Sequence, residues 1–313
     1  MAFATEIDKA AIFPVILLKN DIEEASAEIY AFGGLLNKFS IKNSPNIIDG
    51  FTSPQNATGN ITNGFKSARL SPFVCRMAAG RYSFNNHDYL IDKFYLGGEA
   101  IHGLLYDALF SITDSGADID SAFVTLQYKY DKREEGFPFA YTSIVTYTLR
   151  DKGRLSIETT IQNNDSSSMP VSDGWHPYFT LGGKIDDLSF EINSENMVEF
   201  SDKLLPTGNL IPYTKFQHPE LLRDTFLDNC FLLNENEKPA CVLRNEQSGI
   251  QLTIQPGKSY PYLQVYTPPH RNSIAIENLS SAPDAFNNKI GLIILEPGES
   301  ATFSTGYHIA ATL

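Results

Sequence analysis

The sequence predicts an all-β chain, a large sandwich of mostly antiparallel strands with few short helices. Three observations predict it. Period-two alternation of apolar and polar residues recurs along the chain. A tight-turn signal, Asp151-Lys152-Gly153, joins two of the alternating runs. Helical periodicity is scarce, and strands recur too often for alternating strand–helix units.

The elements follow in order. The first apolar run lies in MAFATEIDKAAIFPVILLKND, residues 1–21. It follows Glu6 and Asp8 rather than a basic segment, Pro14 interrupts it, and no small-residue cleavage site follows. A signal peptide is therefore not expected. Residues 43–68 are rich in Asn, Thr, Gly and Pro and read as a long surface loop. In FVTLQYKY, residues 123–130, Val124, Leu126, Tyr128 and Tyr130 share one face. YTSIVTYTLR (141–150) and LSIETTIQNN (155–164) are the two arms of the predicted hairpin, the second with Leu155, Ile157, Thr159 and Ile161 aligned. HPELLRDTFLDNCF (218–231) is the one segment expected to hold a turn or two of helix. Five further strand-like runs occupy 249–255, 262–267, 273–278, 290–295 and 301–311, with Tyr, Phe, Thr and Ile supplying the β character. No composition break marks a linker, so residues 1–313 are expected to form a single domain.

Composition excludes several classes of function. Hydrophobic residues make up 42% and charged residues 19% of the chain, which is ordinary for a globular protein. The net charge of −13, with no local Lys/Arg cluster, repels phosphate backbones and anionic membranes. A neutral ligand such as a sugar suits this field better. No run approaches a membrane span. The three cysteines, Cys75, Cys230 and Cys241, are odd in number and widely spaced. They suit reduced thiols in the cytoplasm rather than a disulfide framework. The GKS at 257–259 lacks the glycine of a phosphate-binding loop, since Leu252 stands where it belongs. None of the six histidines has a close partner at metal-ligand spacing, so no metal and no cofactor is expected.

Three local patterns carry candidate chemistry. DGWHPYFTLGG, residues 173–183, sets His176 between Trp175, the only tryptophan, and Pro177-Tyr178. Pro177 fixes its own φ and Gly182-Gly183 releases the chain into a turn. Two readings stay open: a hydrogen-bonded histidine at a strand end, or an imidazole aimed at a reacting atom. In GEAIHGLLYD, residues 98–107, His102 precedes Gly103, which allows close approach of backbone and ligand. In SIAIENLSSAPDAFNN, residues 273–288, an alternating strand ends on Glu277 at the edge of a polar loop. That carboxylate is placed either to face a cleft or to sit in water.

IHGLLYDALFSI, GWHPYFTLGG, LDNCFLL and IAIENLSSAPDAFNNKIGLIILEPGES occur in this order. Together with FGGLLNKFSI (32–41) and SPFVCRMAAGRYSFNNHDYLI (71–91), the chain resembles the aldose 1-epimerase, or galactose mutarotase-like, family over roughly residues 30–308. The resemblance implies a β-supersandwich and a sugar-binding isomerase, monomeric or homodimeric. It implies that His176 is the catalytic acid and Glu277 the catalytic base. By the same resemblance His102 binds the sugar near its ring oxygen, Arg76 contacts sugar hydroxyls, and Asp228 is a substrate-binding aspartate. The chain departs from the family's galactose-specific members at Cys75, usually Asn, and at Leu104, usually Gly.

The activity so implied interconverts the α and β anomers of an aldohexose such as glucose or galactose. One group takes the proton from the C1 hydroxyl while the other gives one to the ring oxygen, and the roles reverse on closure. At the ordinary pKa values of about 4.3 for Glu and 6.5 for His, a carboxylate and an imidazolium are both accessible near neutrality. The alternatives are a hexose-6-phosphate mutarotase, in which Arg69, Arg76, Arg81 and Arg271 would gather round the phosphate, and a non-catalytic sugar-binding module. A glycosidase would ordinarily need two carboxylates flanking the bond.

Overall fold

Alternation along the chain becomes two large antiparallel sheets. The computed structural model describes residues 2–236 and 238–311. Among these, one sheet runs, edge to edge, through Ser111–Ala117, Ser121–Tyr130, Tyr141–Arg150, Arg154–Asn163, Ser300–Ala311, Ile250–Pro256, Cys241–Asn245, Ser189–Ile192 and Glu220–Leu221. The other runs through Pro206–Pro212, Ser194–Phe200, Asp228–Leu233, Tyr262–Tyr266, Ile274–Leu279, Gly174–His176 and Ala68–Leu70, with the short strand Tyr178–Phe179 also paired to Ile274–Leu279. A four-stranded meander, Phe3–Asp8, Val15–Asn20, Ala25–Tyr30 and Leu35–Ser40, packs against the 111–150 end of the first sheet.

The period-two reading holds residue by residue. Val124 and Leu126 are fully buried, and Leu155, Ile157, Thr159 and Ile161 are at most 1% exposed. Arg150 pairs with Arg154 across the expected turn, where Lys152 and Gly153 both take positive φ. Glycine is required at 153, because a Cβ would lie 2.6 Å from the Ile309 carbonyl oxygen.

The two sheets meet face to face, and the interior is a row of named contacts. Tyr147 packs on Trp175 (ring centroids 6.0 Å apart) and Tyr307 on Phe179 (5.3 Å). Thr305 donates its hydroxyl to the Asn278 Oδ1 at 2.8 Å, and the Arg69 Nη1 donates to the Thr159 Oγ1 at 3.1 Å. These contacts fix which face of the second sheet looks inward. Trp175, Phe179, Ile274, Ile276 and Asn278 fill the core, so the alternate residues of the same strands form the opposite face.

Two expectations are corrected. Residues 218–231 hold no helix; they supply the strands Glu220–Leu221 and Asp228–Leu233. Pairing of Asp228–Leu232 with Tyr262–Tyr266 satisfies the backbone there and overrides the local helical spacing. Nor are residues 43–68 a surface loop. Ile47, Ile48, Phe51, Ala57, Ile61 and Phe65 are buried, and Pro54–Asn60 forms a helix. Ser53 caps it by accepting from the Asn56 N–H at 3.1 Å, and Pro54 occupies the first turn, where its missing N–H costs nothing.

Candidate active site

Strand register places His176 and Glu277 side by side. Gly174 pairs with Leu279 and Tyr178 with Ala275, so His176 stands opposite Glu277 on adjacent antiparallel strands. The row continues, since Glu277 pairs with Gln264 and Gln264 with Cys230. The next row along the same face is Tyr178, Ala275, Tyr266 and Asp228. Two rows of one sheet face therefore supply the floor of a cavity of about 320 Å³. Its walls come from Phe65, which follows the helix Pro54–Asn60, from Cys75-Arg76, and from Ile101-His102.

All five sequence-predicted site residues, Arg76, His102, His176, Asp228 and Glu277, line this one cavity. The His176 Nε2 lies 3.3 Å from the Glu277 Oε1. His102 stands edge-on to His176, ring centroids 4.8 Å apart, and is held from behind by Phe65 at 4.6 Å. Tyr178 stacks on His176 at 5.0 Å. Gln264 donates from Nε2 to the Asp228 Oδ1 at 2.8 Å, while its own Oε1 is buried without a partner. Arg76 is half-buried and donates to the Leu96 carbonyl at 3.1 Å.

His176 is flanked by packed and hydrogen-bonded neighbours. Trp175 points to the core on the other face, with the Arg69 guanidinium 4.7 Å from its ring centroid. Arg69 pairs with Asp173, both fully buried, and Asp173 also accepts from the Tyr260 hydroxyl at 2.6 Å. The His176 carbonyl accepts from the Ser67 N–H at 2.9 Å. At Gly103 the close approach is to the chain itself rather than to a ligand. A Cβ there would strike the Ser71 carbonyl, and the positive φ of His102 and Gly103 carries the imidazole into the cavity.

Two details differ from expectation. Glu277 does not end its strand; it lies inside Ile274–Leu279, every residue of which is buried. The ionisation is also inverted. Burial pushes the Glu277 carboxyl well up, and the Asp228 charge adds to the effect. Burial pushes His176 down to about 4 and holds His102 well below the ordinary histidine value, with His176 and Arg76 adding to the shift of His102. Away from water the pair thus favours its uncharged forms, one proton shared between a carboxyl and an imidazole. The Asp228 carboxyl is raised by burial, against the opposing pull of Arg76 and Gln264.

Reading the sequence missed Phe65, Gln264 and Tyr266 as cavity residues. Gln264 had a signal, a polar residue centred in the apolar run YLQVY; Phe65 had one in its four-residue spacing from Ile61 and Ala57. Among the four arginines considered as phosphate ligands, only Arg76 lines the cavity. Arg69 is sealed against Asp173, Arg271 pairs with Asp186, and Arg81 is exposed elsewhere. Among the described residues, no three His, Cys, Asp or Glu side chains are grouped to hold a metal ion. No helix among them is long and apolar enough to cross a membrane.

Comparison with known proteins identifies the family and the fold. Residues 14–308 match the aldose 1-epimerase family. YihR of Escherichia coli, itself uncharacterized, is 26% identical over 239 residues, 74% of each chain. A galactose mutarotase-like protein from Clostridium acetobutylicum superposes with a TM-score of 0.88 at 17% identity, covering 99% of both chains. Galactose 1-epimerase from Lactobacillus acidophilus superposes at 0.82 with 19% identity, covering 98% of both.

Proposed function

Since the chain belongs to the aldose 1-epimerase family of isomerases, we propose that it interconverts the α and β anomers of a free, uncharged aldohexose, with Glu277 and His176 as the proton-transfer pair. The observation that carries this reading is the cross-strand contact of 3.3 Å between the His176 Nε2 and the Glu277 Oε1 on the floor of the cavity.

The chemistry follows from the pair. Ring opening needs an acceptor for the proton on the C1 hydroxyl and a donor for the ring oxygen. A pair holding one proton offers one of each at all times. In this reading Glu277 takes the C1 hydroxyl proton and His176 protonates the ring oxygen. The C1–C2 bond then rotates, and the two groups exchange roles to close the ring on the other face. Burial disfavours the carboxylate in the unliganded cavity. Sugar hydroxyls donating to Glu277 replace the water it has lost and favour its carboxylate form, leaving the pair's one proton on His176. His102, Arg76 and Asp228 hold the remaining oxygens, and each positioned acid or base contributes about 10²–10⁴-fold.

An uncharged sugar is favoured over a hexose phosphate by the charges present. One arginine, Arg76, shares the cavity with two acids, Asp228 and Glu277. A pure binding module would need no acceptor and donor in mutual contact. The three cysteines are free and buried, which suits the cytoplasm as the working compartment. The test is polarimetry or exchange NMR on α-glucose and α-galactose, beside glucose 6-phosphate. Faster anomer exchange with the free sugars supports the reading. Binding without acceleration contradicts it, and a preference for the phosphate contradicts the substrate class.

A further inference from the structure

Glu277 is 2% exposed, yet its carboxyl meets few donors. Oε1 faces the His176 Nε2 at 3.3 Å, and Oε2 faces the Cys75 Sγ at 3.9 Å. Among the described residues no backbone N–H, hydroxyl or amide donates to it. Its neighbour in the row, Gln264, is turned away and commits its N–H to Asp228. The remaining groups facing Glu277 or its surroundings are Asp228 and Cys230 from one strand, Tyr178 and Tyr266 from two others, and Arg76 and His102 from the wall. Among the described residues, the Cys75 thiol is the hydrogen-bond partner of Oε2.

A thiol is a weak donor. It occupies space beside the carboxyl and excludes water, but withdraws little electron density from it. Cys75 is 7% exposed, and its backbone sits at φ +48, in the left-handed region. Asn adopts that region more readily than Cys, so packing or chemistry rather than backbone preference favours a thiol here.

We propose that Cys75 is a positioning residue for Glu277, its thiol holding the carboxyl against His176 through a weak hydrogen bond to Oε2. This rests on the proposed role of Glu277. Burial and the Asp228 charge raise the proton affinity of Glu277, and the thiol offsets them only slightly. An amide N–H in its place would offset them more.

The experiment compares the wild type with Cys75→Asn and Cys75→Ala. The Glu277 carboxyl is titrated by ¹³C NMR in protein labelled at the glutamate side-chain carboxyl, its signal identified by loss in Glu277→Gln. The pH profile of kcat/KM is measured alongside. Cys75→Asn should lower the Glu277 titration and the acid limb together, by on the order of one pH unit. Cys75→Ala, which removes the donor, should raise both. A Cys75→Ala titration identical to the wild type would overturn the proposal, as would an upward shift in Cys75→Asn. A shifted titration in a protein that never exchanges anomers would overturn the catalytic reading and leave the contact standing.

Discussion

Arg69 and Trp175 face each other across adjacent strands, with the guanidinium 4.7 Å from the indole centroid and on the opposite sheet face from His176. The residue next to the candidate acid is thus backed by a buried cation. That cation is answered by the carboxylate of Asp173, two residues before Trp175, and the Tyr260 hydroxyl completes the Asp173 shell.

Breaking this pair leaves a buried charge without its partner. Arg69→Met is expected to destabilise the fold by about 3–5 kcal/mol, measured by urea denaturation. The double variant Arg69→Met with Asp173→Asn should recover part of that loss, because the orphaned charge is gone. A single variant as stable as the wild type would show that the pair contributes nothing.

Acid should weaken the fold through the site histidines. His176 titrates at about 4 in the folded chain, against an ordinary 6.5. Below pH 6.5 the unfolded chain takes up a proton that the native chain refuses until about pH 4. Stability from the neutral imidazole is complete above that window and is lost as the pH falls through it, at up to about 1.4 kcal/mol per unit. Unfolding of His176→Gln should therefore show a flatter acid dependence between pH 6.5 and 4. Parallel stability curves for the two proteins would contradict the burial argument.

Arg76 touches the sugar rather than the reacting bond in this account. Arg76→Ala is expected to raise KM roughly 10-fold or more with a smaller change in kcat, as a charged hydrogen bond of about 1.5–3 kcal/mol is lost. Kinetics on the free sugar distinguish this from a fall in kcat at constant KM, which would make Arg76 part of the chemistry.

Much of this was legible in the residues themselves. Period-two runs such as 123–130 and 155–164 declared their buried faces, because one face of each strand packs on a core and water takes the other. Local pattern singled out His176, His102 and Glu277, but their roles, and Arg76 and Asp228 altogether, were legible only through the family likeness. His176 and Glu277 lie a hundred residues apart, and nothing local to either announces the register that makes them neighbours. Residues 43–68 misled because their Asn, Thr and Gly content masks buried apolar positions at 47, 48, 51, 57, 61 and 65. Residues 218–231 misled because long-range pairing decided a segment whose local pattern was ambiguous. The inverted ionisation of the central pair was beyond sequence altogether, since it comes from burial of the assembled cavity.

The most direct test is the rate of anomer exchange in Glu277→Gln and His176→Asn, each checked for native circular dichroism and measured by polarimetry on α-glucose and α-galactose. The account predicts that kcat falls about 10²–10⁴-fold in each variant with the fold intact. Wild-type exchange in either folded variant would contradict it.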